Sequence, residues 1–342
     1  SGARTYGRSD SGVRRVSVLP DIERVANADE PLHRDEYARS ILEATDTLRS
    51  LGGETGGIAT INTDGKPTVV VSDIHSRPDF ILNLLHYERQ GRSVFELLKS
   101  REINIVFVGD FSHSELMGDW LIRKNGAVYV RDYEELLPEM TGSLAVLKMF
   151  CDLKTRFPNC VHGVRGNHDD VLGRILGAEY GKGGVHQSEI ARYWLEKRFG
   201  AEFITQIAGF EDNLPLLVDA GDFVITHAAP GQVLTRKAIE NRTCTAELTW
   251  TENRPAKAGS GGLTEQELLQ NIIGTLSNLG KKTGSGIRWV AGHRPTEGEI
   301  PYRRQANDMF MQVNSPIDQI VMILPTQRRF NPTKDVVDVK QT

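Results

Sequence analysis

Five times along this chain a short apolar run ends at polar residues of the kind that ligate metal ions. Asp73-Ile74-His75 follows residues 69–72, Gly109-Asp110 follows 105–108, and Gly166-Asn167-His168-Asp169 follows 161–165. His227 follows 223–226, and Gly292-His293 follows 289–291. Runs this short, apolar and rich in β-branched residues read as buried strands. Ligand-binding residues converge at the strand ends of an α/β sheet, where glycine lets the backbone turn sharply. One such ending would be noise. Together the five supply three Asp, one Asn and four His, which reads as a metal centre.

Around these strands the pattern alternates. Helical spacing of apolar residues covers 35–51, 78–100 with an interruption near Gly91, 144–157, 188–199 and 264–279. Tyr193, Trp194 and Phe199 on one of these helices read as core. Residues 58–72 read as two strands around the turn signal Asp64-Gly65, and 214–226 as a hairpin across Ala220-Gly221. Strands at 309–313 and 319–324 close the chain, 253–262 reads as a loop, and 116–137 has no clear pattern. The alternation predicts a layered α/β fold.

Composition removes several function classes. Lys and Arg number 41 against 45 Asp and Glu, a net charge of −4, so no strongly basic nucleic-acid-binding surface is expected. No run is long and apolar enough for a membrane helix, and residues 1–20 carry Arg but no apolar stretch, so neither a membrane nor a secretory leader is expected. Cys151, Cys160 and Cys244 are too few for a disulfide framework and read as buried thiols of a reducing, cytoplasmic compartment.

Carboxylates and an amide oxygen mixed with imidazoles suit manganese, iron or zinc better than calcium. The donors outnumber the needs of one ion and point to two ions sharing a carboxylate. Two such ions hold the attacking and leaving oxygens of a phosphoryl displacement and acidify a water between them into a hydroxide nucleophile.

The order of these motifs resembles the signature of the calcineurin-like metallophosphoesterases, over about residues 66–325. Within that superfamily, Lys154-Thr155-Arg156-Phe157-Pro158 leading into Val164-Arg165-Gly166-Asn167-His168 is similar to the Ser/Thr phosphoprotein phosphatase branch. So is Phe210 with Leu214-Pro215-Leu216 before Ile225-Thr226-His227. The resemblance implies a sandwich of two mixed β-sheets flanked by helices, with a dimetal site at the strand ends. Asp73 and His75 would hold one ion, Asp110 would bridge, and Asn167, His227 and His293 would hold the other. His168 would be the general acid, Asp169 would fix its tautomer, and Arg165 would contact phosphate.

The chain also departs from that pattern. The branch's run after Gly-Asp ends in Asp-Arg-Gly, whereas here His113 and Ser114 replace the Asp and Arg. His113 is a candidate beside the substrate, and so is Arg254, the nearest arginine after the landmark Leu248-Thr249-Trp250. Pro295 stands where many relatives carry a second histidine. The 57 positions from Asp110 to Asn167 suggest a substrate-determining insert at 116–142. The expected organisation is an arm at 1–34, a helix and hairpin at 35–65, the catalytic domain at 66–325 and a tail at 326–342. The expected activity is hydrolysis of phosphate esters with two divalent cations, manganese first and iron or zinc as alternatives. The substrate would be a phosphoprotein, or alternatively a nucleotide such as a dinucleoside polyphosphate. A non-catalytic scaffold is less favoured, because every primary ligand is retained.

Overall fold

The computed structural model describes residues 18–51, 56–114, 121–124, 127–130, 132–175, 187–250, 262–284, 286–296 and 300–340. Two mixed sheets stack face to face among these residues. In the five-stranded sheet, Thr68–Val71, Asn104–Phe107 and Val161–Gly163 run parallel, and Ile320–Leu324 and Val336–Asp338 extend it antiparallel. In the six-stranded sheet, Phe223–Thr226, Trp289–Ala291 and Phe310–Gln312 run parallel. Leu217–Ala220 is antiparallel to the first of these and parallel to Ile58–Thr60.

Alternation along each strand sorts side chains into three layers. Val70, Val106 and Met322 meet Val218, Ile225, Val290 and Met311 in the core between the sheets. Val69, Val71, Ile105 and Phe107 face outward, into a core shared with the helices Val18–Ala26, Arg34–Ser50, Pro78–His86, Leu137–Arg156 and Ala201–Glu211. On the far side Leu217, Val224, Trp289 and Phe310 pack against Glu265–Asn278 and its neighbours. Helices therefore flank a double sheet, as the sequence led one to expect. None among the described residues is long and apolar enough to cross a membrane.

Three local readings need correction. Residues 58–72 are not a hairpin: Ile58 pairs with Leu217 in one sheet, while Thr68 pairs with Asn104 in the other. The stretch read as an arm contains the helix Val18–Ala26, whose Ile22 and Val25 are buried. Tyr193 is not core but 64% exposed, because Trp194 takes the inward face of that helix. The interruption near Gly91 is a short hairpin, Glu88–Arg89 with Arg92–Ser93, and the unclear stretch holds the antiparallel pair Leu121–Lys124 and Ala127–Val130. Cys151, Cys160 and Cys244 are all buried.

Candidate metal centre

The parallel strands of both sheets end at one edge of the sandwich, and their following residues meet there. Asp73, His75, Asp110 and Asn167 come from the five-stranded sheet, His227 and His293 from the six-stranded one. All six are buried. Their approach depends on glycine. A Cβ on Gly292 would lie 2.0 Å from Asp73 Oδ1, and one on Gly166 would lie 2.1 Å from Asp110 Oδ1. No side chain fits either place. The turns are also strained: His75, Asp110, His113 and His293 all hold left-handed φ angles, between 47° and 71°. Such strain in non-glycine residues gathers at functional sites.

Two groups of donor atoms result, each with its atoms within 4.8 Å of one another: Asp73, His75 and Asp110, and Asp110, His227 and His293. Asp110 belongs to both. Its Oδ2 lies 3.8 Å from His75 Nε2 and 3.3 Å from His227 Nε2. Asn167 joins the second group, its Oδ1 2.9 Å from His227 Nε2.

Backbone carbonyls choose the imidazole atom that faces inward. His75 Nδ1 donates to the His113 carbonyl at 2.9 Å, and His227 Nδ1 to the Val108 carbonyl at 2.7 Å. In each ring Nε2 is left for the centre. Asp73 is steadied by the His293 N–H, at 2.9 and 3.1 Å, and by Asn314 Nδ2 at 2.7 Å. His293 Nε2 is buried without a hydrogen-bond partner among the described residues, which fits a metal-ligating atom. A buried, oxygen- and nitrogen-rich donor set with one shared carboxylate fits two divalent cations.

The electrostatics agree. Burial would raise the Asp110 carboxyl, but His227, His168 and His75 outweigh it and hold it well below the usual range. Burial likewise opposes a proton on His227, yet Asp110 beside it raises the imidazole to about 9. His293 is pushed well down by burial, with His227 and Arg294 adding repulsion. Desolvation also lowers His168, to about 4, and drives His113 well below its ordinary value.

The other candidates fall into place around this centre. His168 is partly exposed, its ring centre 5.6 Å from that of His75 and 5.3 Å from that of His113. The Asp169 carboxylate does not serve an imidazole. It accepts the backbone N–H groups of Asp110, Phe111 and Gly166 at 2.8–3.0 Å and so clamps two ligand loops together. Burial and the neighbouring Asp110 raise its carboxyl to about 6. Arg165 is turned to other partners: the Asp169 carbonyl at 3.0 Å, Asp212 at 3.0 Å and Asp170 at 3.3 Å. Arg254 lies outside the described residues, as does part of the 116–142 stretch.

Three contributors escaped sequence reading. Asn314 follows the strand Phe310–Gln312 by one residue beyond Val313, so the strand-end rule that found the ligands would have found it too. Glu139 accepts from Ser114 N, Ser76 Oγ and Ser143 Oγ, tying both loops to the helix Leu137–Arg156; burial raises its carboxyl. Arg294 lies beside His293, its guanidinium carbon 5.0 Å from the centre of the Trp250 ring. Nothing local marked either of these two.

A two-sheet sandwich whose strand ends bring together two groups of donor atoms sharing one carboxylate is the framework of a metal-dependent phosphoesterase. The calcineurin-like phosphoesterase profile matches residues 66–322, and the chain belongs to that family, a hydrolase acting on phosphate esters. Among solved structures it is similar to a protein serine/threonine phosphatase from Saccharomyces cerevisiae that resembles human phosphatase PP5. That pair shares 16% identity over 90% of this chain and 89% of the other, with a TM-score of 0.55. It is also similar to the cold-active protein-tyrosine phosphatase of a psychrophilic Shewanella species, at 18% identity, TM-score 0.45, over 80% of this chain and 78% of that one. A proposed diadenosine tetraphosphatase shares 15% identity, TM-score 0.42, over 82% of this chain and 96% of that one. At 16% identity and a TM-score of 0.55, the likeness to the Saccharomyces cerevisiae phosphatase is one of fold. A comparison with curated protein sequences gave no match.

Proposed function

We propose that this chain is a phosphatase of the Ser/Thr-phosphoprotein type, using two divalent cations, manganese first. The observation that supports it best is Asp110, shared by two donor groups with His168 beside them. The local runs at 154–168 and 210–227 favour the phosphoprotein over the nucleotide reading. Bound at these residues, two cations supply positive charge to the phosphoryl oxygens and acidify an attacking water. Asp73, His75 and Asp110 would hold one; Asp110, Asn167, His227 and His293 would hold the other. The His113 and Val108 carbonyls keep His75 and His227 in the Nδ1–H tautomer that directs Nε2 to the centre. His168, on the solvent side, delivers a proton to the departing alkoxide oxygen. Asp169 holds the Asp110 and Gly166 backbones in register, and Arg165 fixes the stretch that carries Asn167 and His168.

The test uses purified chain loaded with Mn²⁺ on a panel of phosphopeptide, mononucleotide and dinucleoside polyphosphate. Phosphopeptide should be hydrolysed fastest, and chelation should abolish turnover. His168→Asn should lower kcat about 10²–10⁴-fold at unchanged metal content, as for other general acids. Turnover that survives exhaustive chelation, or preference for the dinucleoside polyphosphate, would overturn this reading.

A further inference from the structure

A phosphoryl group at this centre needs a protein cation, and the cations named from sequence do not supply one among the described residues. Arg165 is engaged with Asp212, Asp170 and the Asp169 carbonyl. Ser114, in the loop beside His168, carries no charge.

The flank of the second donor group carries a further arginine. Arg294 directly follows the ligand His293, and the Trp250 indole packs edge-on against the His293 imidazole with ring centres 5.2 Å apart. The Arg294 guanidinium lies over that same indole at 5.0 Å. Its backbone is pinned. The Arg294 N–H donates to the Gly292 carbonyl at 2.9 Å, and its carbonyl accepts from the Gln312 side chain. Two residues on, Thr296 N and Oγ1 both donate to the Asn314 carbonyl, at 3.0 and 2.9 Å. Both Trp250 and Arg294 are partly exposed, so the cation sits at the rim of the centre and not within the core.

A guanidinium stacked on an aromatic face keeps its N–H groups in the plane of the fork, where they can grip two oxygens of one phosphate. The stack also limits the rotamers lost on binding. Position adds to this. His168 stands beside the His75 group and Arg294 beside the His293 group, so a substrate across the shared Asp110 would meet the acid at one end and the cation at the other. Two carboxylates cannot neutralise two divalent cations, so the loaded centre stays positive and Arg294 adds to that charge. Coulomb attraction then favours a dianion over a monoanion.

We propose that Arg294, braced on Trp250, is a substrate-binding residue that selects dianionic phosphomonoesters over monoanionic phosphodiesters. This rests on the hydrolase reading above and goes beyond it in naming the charge state of the substrate and the residue that reads it.

The experiment compares wild type, Arg294→Ala and Arg294→Lys, each loaded with Mn²⁺, on p-nitrophenyl phosphate and bis(p-nitrophenyl) phosphate. Losing one charge-assisted contact should lower kcat/KM on the monoester about 10- to 100-fold in Arg294→Ala. The diester, with one negative charge fewer, should change by no more than about threefold. Arg294→Lys should restore part of the monoester rate. Inorganic phosphate should bind Arg294→Ala more weakly by calorimetry, by a factor similar to the monoester loss, at equal metal content. An equal loss on both esters, or unchanged phosphate affinity, would overturn the assignment. Failure of the wild type on both esters would instead remove the hydrolase reading and this inference with it.

Discussion

Replacing Asn314 by alanine tests how the Asp73 and His293 candidate ligands are held together. The Asn314 amide is fully buried and donates at 2.7 Å to Asp73 Oδ2 and at 3.1 Å to the His293 carbonyl. One side chain thus joins a candidate ligand of one sheet to a candidate ligand of the other. A hydrogen bond to a charged group contributes about 1.5–3 kcal/mol and a neutral one about 0.5–1.5 kcal/mol, so about 2–4.5 kcal/mol is at stake. Asp73 keeps its bonds to the His293 N–H at 2.9 and 3.1 Å, so the carboxylate tilts without being released. Removing such an outer partner typically weakens metal binding about 10–100-fold. At about 1.4 kcal/mol per tenfold, that is about 1.4–2.8 kcal/mol of the total. The remainder should appear as lower stability of the metal-free chain, a melting point down by a few degrees. Titration calorimetry with Mn²⁺ and thermal unfolding in chelator measure the two parts separately. Mn²⁺ affinity within about threefold of wild type, with unchanged melting, would refute the reasoning. It would mean that the His293 backbone alone fixes Asp73.

Two further predictions probe packing and titration. In Gly292→Ala the new Cβ would lie 2.0 Å from Asp73 Oδ1 and 2.6 Å from Val108 Cγ2. Overpacking of about 1–3 kcal/mol and loss of stoichiometric metal are expected, read by thermal unfolding and metal analysis; normal values for both would contradict the close approach. Glu211 is buried, with its carboxyl pushed up to about 8, chiefly by burial. Its folded state therefore holds a proton that the unfolded chain gives up near 4.5. The stabilisation is complete below that value and is lost as pH rises through about 8. Glu211→Gln keeps an acceptor for the Val171 N–H, 2.9 Å away in the native chain, and should raise stability at pH 8–9 by on the order of a few kcal/mol. Parallel stability–pH curves for the variant and wild type would exclude that account.

The candidate ligands were legible because each lies within four residues of the end of a short buried strand, so local sequence points to both the strand and the place where it stops. Pairing was not legible. Asp64-Gly65 is a genuine turn, yet the strands beside it join different sheets, since Ile58 finds its partner 159 residues away at Leu217. Turn chemistry is local and sheet membership is not. Asp169 shows the same limit at the site: its neighbour in sequence is His168, but its carboxylate turns to the backbone of a loop some 58 residues earlier. Arg165 looked like a phosphate ligand by adjacency and was claimed by Asp170 and by Asp212, 47 positions on. Arg294 became visible only through Trp250, which stands 44 positions before it.

The ligands' origin in both sheets has a mechanical consequence. Away from the ligand edge, the two sheets cohere through the side chains of Val70, Val106, Met322, Val218, Ile225, Val290 and Met311. That contact is apolar and non-directional, so it tolerates small sliding. Cations held by Asp110 together with His227 and His293 would fasten one sheet to the other at a fixed point, as a rivet fastens two plates. Loading would then raise the barrier to separating the layers as well as the free energy of unfolding. The metal-free protein should breathe along its inter-sheet seam, with backbone amides of Val224–Thr226 and Trp289–Ala291 exchanging faster than in the loaded one.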